Sequence, residues 1–137
     1  MSLITVTTLE ICTDTYMSSI AGEIRKQQDK ADLLPANVVI GDLKHVIVKE
    51  GKEAEFESLF RELATRAKAH DKGVNYYDLY KSEQPRTYLV MSQYEDKDAL
   101  QRHQKSGHGK YYFPKIRELL ESIEVSYHFG AVLLKSL

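Results

Sequence analysis

The order in which the hydrophobic period changes along the chain is its strongest constraint on fold. A β-branched run over Asp42–Val48 leads through a glycine turn into an amphipathic helix over Lys52–His70. Two strands follow, Val74–Lys81 and Arg86–Tyr94, then a broken helix over Lys97–Ser122 and a last strand over Glu124–Leu134. A strand–helix–strand–strand–helix–strand order builds a four-stranded antiparallel sheet with its helices on one face. The last strand sets Val125, Tyr127, Phe129, Ala131 and Leu133 against Ser126, His128, Gly130, Val132 and Leu134. Both its faces carry apolar or aromatic groups. The sheet face turned away from the helices therefore needs a cover, and a second copy of the chain is the natural one.

Composition narrows the class. A length of 137 residues favours one domain. A formal net charge of −1 leaves no basic footprint for nucleic acid. Mean hydropathy is −0.42, and no apolar run approaches the roughly 18–20 residues that span a bilayer. The N-terminus shows no basic start followed by an apolar stretch, so no secretory signal is expected. The lone Cys12 excludes an internal disulfide and suits a reducing cytoplasm, the expected location.

Residues 1–37 differ from the rest and are expected to form an extension. Leu3–Leu9 alternate weakly with threonines as in a short strand. Thr13 or Asp14 is placed to cap a helix reaching about Lys30, with Tyr16, Ile20 and Ile24 on one stripe and Leu33-Leu34-Pro35 as its stop. The main domain is expected over 38–137, with a break in its first strand at Gly41-Asp42. In the first helix Ala54, Phe56, Leu59, Phe60, Leu63, Ala64 and Ala67 mark one face. Gly73 suits a left-handed stop. In the second strand Asn75, Tyr77 and Leu79 share a face. Ser106-Gly107-His108-Gly109 interrupts the second helix. Its continuation carries Tyr112, Phe113, Ile116, Leu119 and Leu120 inward, with Pro114 in its first turn.

No metal signature emerges. His103 and His108 are five apart across a glycine-containing break, and no cysteine or carboxylate cluster completes a ligand set. There is no phosphate-binding glycine loop and no nucleophile elbow. What remains is a group of phenols and imidazoles: Tyr77, Tyr94, His103, His108 and His128, with Asn75 and His45 as further candidates. Such groups line apolar pockets and offer hydrogen bonds at a few points. A histidine that titrates near neutrality moves a substrate proton. A tyrosine orients a phenol or quinone oxygen and stacks on its ring.

The order of elements and several short motifs resemble the antibiotic biosynthesis monooxygenase family. Val46-Ile47-Val48-Lys49-Glu50-Gly51-Lys52 is similar to the family's strand-to-helix entry, V-K-P-G-K. Glu55-Phe56 with Leu59 and Leu63 come next, and Gly73-Val74-Asn75-Tyr76-Tyr77 resembles G-C-x-x-Y. Ser92-Gln93-Tyr94-Glu95-Asp96 with Ala99 and His103 resembles E-x-W-x-D…A…H, and Ser106-Gly107-His108 resembles S-x-H. The likeness covers about residues 42–134.

It implies an α+β, ferredoxin-like protomer that pairs into a dimeric α/β barrel, with a pocket between sheet and helices. It also implies a cofactor-independent monooxygenase acting on an electron-rich aromatic, a hydroquinone or phenol, with dioxygen as co-substrate. On that reading His103 or His108 is the base, with Tyr94 the third catalytic candidate. Asn75, Tyr77, His45 and His128 are candidates to bind substrate; neither a metal nor a cofactor is called for, nor a nucleic-acid or membrane partner.

Two departures matter. Tyr94 stands where the family commonly has tryptophan, and Lys44 stands where the haem-degrading branch has asparagine, which argues against haem degradation. Two alternatives stay open. One is a cofactor-free isomerase of a small phosphorylated carbonyl compound, with Lys105, Lys110 and Lys115 to meet the phosphate. The other is a non-catalytic dimeric binding protein.

Overall fold

The structure, a computed structural model, describes Gly22, Arg25, Lys26 and residues 29–130. The main unit runs β1 (Ile40–Val48), α1 (Glu53–His70), β2 (Val74–Lys81), β3 (Thr87–Tyr94), α2 (Lys97–Gln104), α3 (Gly107–Arg117) and β4 (Leu120–Phe129). The four strands form one sheet in the order β2-β3-β1-β4. All three pairings are antiparallel. The expected strand over Leu3–Leu9, the start of the first helix and residues 131–134 of the last strand lie outside the described residues.

Strand alternation divides the sheet into two faces. Ile40, Asp42, Val46 and Val48 of β1 and Tyr88, Val90, Ser92 and Tyr94 of β3 are buried beneath the helices. Phe56, Phe60, Leu63 and Ala67, the predicted stripe of α1, close over them. A large apolar side chain buried this way contributes about 1.5–3 kcal/mol. On the other face Leu43, Ile47, Leu89 and Met91 are only half-buried, and Tyr76 and Tyr80 are exposed.

A second cluster joins Ala31 and Leu34 to Ile40, Tyr94, Ala99 and Leu100. Residues 29–32 are helical, and Leu33-Leu34-Pro35 ends that helix. The Lys97 ammonium donates to the Asp32 carbonyl at 2.6 Å.

Three departures from the expected boundaries have a local reason. β1 runs unbroken through Gly41-Asp42, because the Asp42 carboxylate accepts from Lys44 Nζ at 2.5 Å instead of turning the chain. The interruption before α3 is only Lys105-Ser106, since the Ser106 hydroxyl accepts from Gly109 N at 3.0 Å and caps a new helix that starts at Gly107. Pro114 therefore lies inside α3 and not in its first turn. The helix also ends earlier. Leu120 pairs with Val48, and Leu119 O accepts from Lys49 N at 2.8 Å, so both leucines bury themselves at a strand start.

Two glycines are required where they stand. Gly73 has φ +84° after α1, and a Cβ there would meet Ala99 Cβ at 2.6 Å. At Gly109 a Cβ would meet Phe113 Cε2 at 2.7 Å. Both let α2 and α3 close down on the sheet.

Candidate active site

Between the covered sheet face and the helices lies a cavity of about 390 Å³, within the usual size range of small-molecule sites. Val46, Phe56, Phe60, Leu63 and Ile123 give it apolar walls. Its polar groups come from inward positions of successive elements: Asp42 and Lys44 from β1, Tyr77 from β2, Tyr94 from β3, and His103 and Gln104 from α2.

His103 is the centre of the polar end. Its Nδ1 lies 2.7 Å from Asp71 Oδ2, and its Nε2 lies 3.2 Å from the Tyr77 hydroxyl. A carboxylate only accepts, so the proton belongs on Nδ1, and Nε2 presents a lone pair to the Tyr77 O–H. Asp71 follows directly on α1, where its N–H is held by Ala67 O at 2.9 Å. The same Asp71 oxygen accepts from His108 Nε2 at 2.9 Å. Side-chain exposure rises outward, from 3% at His103 through 7% at Asp71 to 14% at His108. Ring packing fixes His103 further: Phe113 and Tyr77 approach it edge-on, with centroids 5.5 and 5.0 Å away.

Burial pulls the His103 pKa below its ordinary 6.5, and the nearby Lys44 and His108 push the same way. The hydrogen bond and charge of Asp71 oppose this without overcoming it. His103 is thus neutral at pH 7, with its unprotonated Nε2 turned to the Tyr77 hydroxyl. Burial also raises the Tyr77 and Tyr94 hydroxyls far above their ordinary range, aided at Tyr77 by Asp42 and Asp71 and at Tyr94 by Tyr77 and Asp42. Ser92 opposes the shift at Tyr94. Both phenols stay protonated.

Two buried polar atoms of residues lining the cavity, Asp42 Oδ1 and Gln104 Oε1, have no hydrogen-bond partner among the described residues. Buried polar atoms are almost always paired, and an unpaired one costs about 1–3 kcal/mol. Both atoms are placed where another molecule's polar groups could meet them.

The structure thus brings Tyr77, Tyr94 and His103 together on the cavity wall. His108 joins them through Asp71 without lining the cavity. The other three candidates stand elsewhere. Asn75 is the extra residue of a bulge in β2, exposed, donating to Gln93 Oε1 at 2.7 Å. His45 is exposed on the open face of β1. His128 is exposed on β4 opposite Gly41, with Nε2 3.2 Å from Ser126 Oγ.

Sequence reasoning missed Asp71, Asp42 and Lys44. Asp42 and Lys44 carried a signal, being charged residues in phase with the inward-facing Ile40, Val46 and Val48. Asp71 carried none. The expectation that no carboxylate accompanies His103 and His108 therefore fails. Asp71, His103 and His108 each offer one ligand atom within 4.8 Å of the others, the composition of a two-histidine, one-carboxylate metal set. The two short hydrogen bonds to one oxygen already account for their meeting.

The sequence model of the family described as antibiotic biosynthesis monooxygenase matches residues 43–114. No curated protein matches the chain. Among solved structures, a proposed antibiotic biosynthesis monooxygenase from Caulobacter crescentus is 27% identical with a TM-score of 0.67, covering 69% of this chain and 92% of that one. A conserved protein from Methanosarcina mazei is 26% identical with a TM-score of 0.62, covering 67% and 92%. A mutant of a cofactor-independent oxygenase from Streptomyces nogalater is 21% identical with a TM-score of 0.62, covering 71% and 96%; at that identity the likeness is one of fold.

Proposed function

Since this chain belongs to the antibiotic biosynthesis monooxygenase family, we propose that it is a cofactor-independent monooxygenase of a small electron-rich phenol or hydroquinone. One observation carries the reading. A neutral, desolvated His103, oriented by Asp71, presents its base nitrogen through Tyr77 to an apolar cavity. A base needs an unprotonated nitrogen, a path for the proton and a fixed orientation.

The substrate ring lies against the apolar walls with its hydroxyl at Tyr77. The hydroxyl proton passes to the Tyr77 oxygen as Tyr77 gives its own to His103 Nε2. No free Tyr77 phenolate forms, because burial disfavours it. The new imidazolium is stabilised by Asp71. The substrate anion transfers one electron to dioxygen, and the resulting radical pair combines through a ring carbon that bears hydrogen. The imidazolium protonates the outer peroxide oxygen. Loss of the ring C–H proton then breaks the O–O bond, leaving a carbonyl and releasing the other oxygen as water. Four electrons leave the substrate and dioxygen accepts all four. Apolar walls exclude bulk water while the anion exists.

We further propose that two copies pack their open sheet faces together, burying Leu43, Ile47, Leu89 and Met91. In this reading residues 1–37 are an extension to a domain over 38–137, and the protein works in the cytoplasm. Among the described residues no helix is long and apolar enough to cross a membrane.

Oxygen uptake by the purified protein with a panel of hydroquinones, and no added cofactor, tests the activity. The expected result is one dioxygen consumed and one quinone formed per substrate. A folded protein that consumes no oxygen with any of them ends the reading.

A further inference from the structure

The cavity wall is more cationic than the chain around it. The chain carries a net charge of −1, yet Lys44, Lys110 and Arg117 line the cavity against the single carboxylate of Asp42. Lys44 is committed to Asp42 at 2.5 Å. Arg117 is different. It is half-buried, and among the described residues neither a carboxylate nor a carbonyl meets its guanidinium. The other arginine drawn toward the core, Arg86, has both Val48 O at 2.8 Å and Glu121 Oε1 at 2.6 Å.

A favourable seat at the C-terminal end of α3 does not account for Arg117. Lys115 already supplies positive charge to that last turn while staying exposed over the Tyr111 ring. The Arg117 guanidinium nitrogens keep some contact with solvent, so an incoming anion can reach them. Burial depresses the Arg117 pKa, and among the described residues no neighbouring anion raises it back.

Its position is informative. Lys110, Pro114 and Arg117 fall at i, i+4 and i+7, so one stripe of α3 faces the cavity along its length. Gly109 packs beneath His103 O at the start of that stripe. Arg117 lies eight residues on, about 12 Å by helical rise. The cavity therefore has a proton-accepting end at His103 and a cationic end at Arg117, with apolar walls between.

We infer that the cavity takes an aromatic ligand bearing an acidic side chain, a carboxylate received by the Arg117 guanidinium at the end remote from His103. The planar fork of arginine pairs with a carboxylate through two parallel hydrogen bonds. Lys110, near the His103 end of the same stripe, is exposed, which leaves the half-buried Arg117 as the better-placed cation at the far end. Only the ring's orientation toward His103 rests on the function proposed above; the carboxylate seat stands on Arg117 alone.

The test uses a matched pair of probes, 4-(2,5-dihydroxyphenyl)butanoate and its primary amide, with 4-phenylbutanoate as an acid that cannot be oxidised. Binding to the full chain is measured by calorimetry. The acid is expected to bind roughly tenfold more tightly than the amide, as a charge-assisted pair requires. That ratio is expected to fall to about one in Arg117→Gln and to be partly kept in Arg117→Lys. Should either variant fold poorly by circular dichroism, the wild-type acid-to-amide ratio still decides. Equal affinities in the wild type, or a preference that survives Arg117→Gln, overturn the inference while leaving the oxygenase reading intact. Arg117-dependent binding of 4-phenylbutanoate without oxygen uptake on either dihydroxy probe sustains the inference and sinks the oxygenase reading. Failure of all three probes to bind overturns the inference, while the oxygenase reading stands or falls on the hydroquinone panel.

Discussion

The covered face of the sheet has two ends that obey the same alternation and differ in how well they are satisfied. Beneath α1, Phe56 packs on Tyr88 with ring centroids 4.8 Å apart, and the Tyr88 hydroxyl donates to Glu57 at 2.5 Å. Tyr112 donates to Glu62 at 2.8 Å. Buried phenols there have partners. Toward α2 and α3, Asp42 Oδ1 and Gln104 Oε1 have none among the described residues, and His103 keeps an unprotonated nitrogen beside the cavity. The first end is a core that stabilises. The second gives up part of that stability to leave polar atoms available, as binding and catalytic sites do.

Substitutions should separate the two ends cleanly. The largest effect is expected from His103→Gln, which keeps a polar side chain but removes the base. Oxygen uptake per folded molecule should fall by roughly 10²–10⁴-fold, with the folded fraction read separately from the thermal midpoint because the buried ring also packs. A variant that still turns over normally would erase the distinction between the ends. Leu119→Ala strikes the satisfied core outside the cavity. It should cost about 2–5 kcal/mol in denaturant unfolding and leave turnover of the folded fraction intact.

Asp71→Asn should lower turnover less, by roughly 10–100-fold. Asp71 raises the His103 pKa through its hydrogen bond and charge. Its removal should therefore move the acid limb of the pH–rate profile to lower pH, a shift that a merely structural role would not produce.

Stability itself should depend on His103. Its folded pKa lies below the 6.5 of the unfolded chain, so between the two values the unfolded state binds the extra proton. Stability is then full above about pH 6.5 and declines as pH falls toward the folded value. Denaturant unfolding from pH 7.5 to 5 should show that slope, and His103→Gln should flatten it. The smallest effect is expected at Asn75→Ala, an exposed bulge position away from the cavity. It should change stability by less than about 0.5 kcal/mol and leave steady-state turnover as it was; a large loss there would move the site to the sheet's open face.

Much of this was readable in advance because it follows from local rules. The 3.6-residue stripe from Phe56 to Ala67 and the period-two alternation of Tyr88, Val90, Ser92 and Tyr94 assign helix, strand and inward face from spacing alone. Gly73 announced its left-handed stop. The misreadings came where a local signal met a tertiary contact. Gly41-Asp42 reads as a turn until Lys44 pairs with the aspartate, and Leu119-Leu120 reads as helix until Val48 offers a strand to join. Tyr77 and His103 were legible as candidates by type and phase; their meeting was not.

The sequence by itself determined the order of elements, the face each large apolar residue takes and the chemical vocabulary of the site, because those depend on neighbours a few positions away. Only the tertiary structure decided that Asp71 would orient His103 across 32 residues of chain, that Asp42 would keep a buried oxygen unpaired among the described residues, and that Arg117 would line the cavity half-buried. These are contacts between elements. Hydrogen-bond length and desolvation are set by distances in space, and no period along the chain encodes those distances.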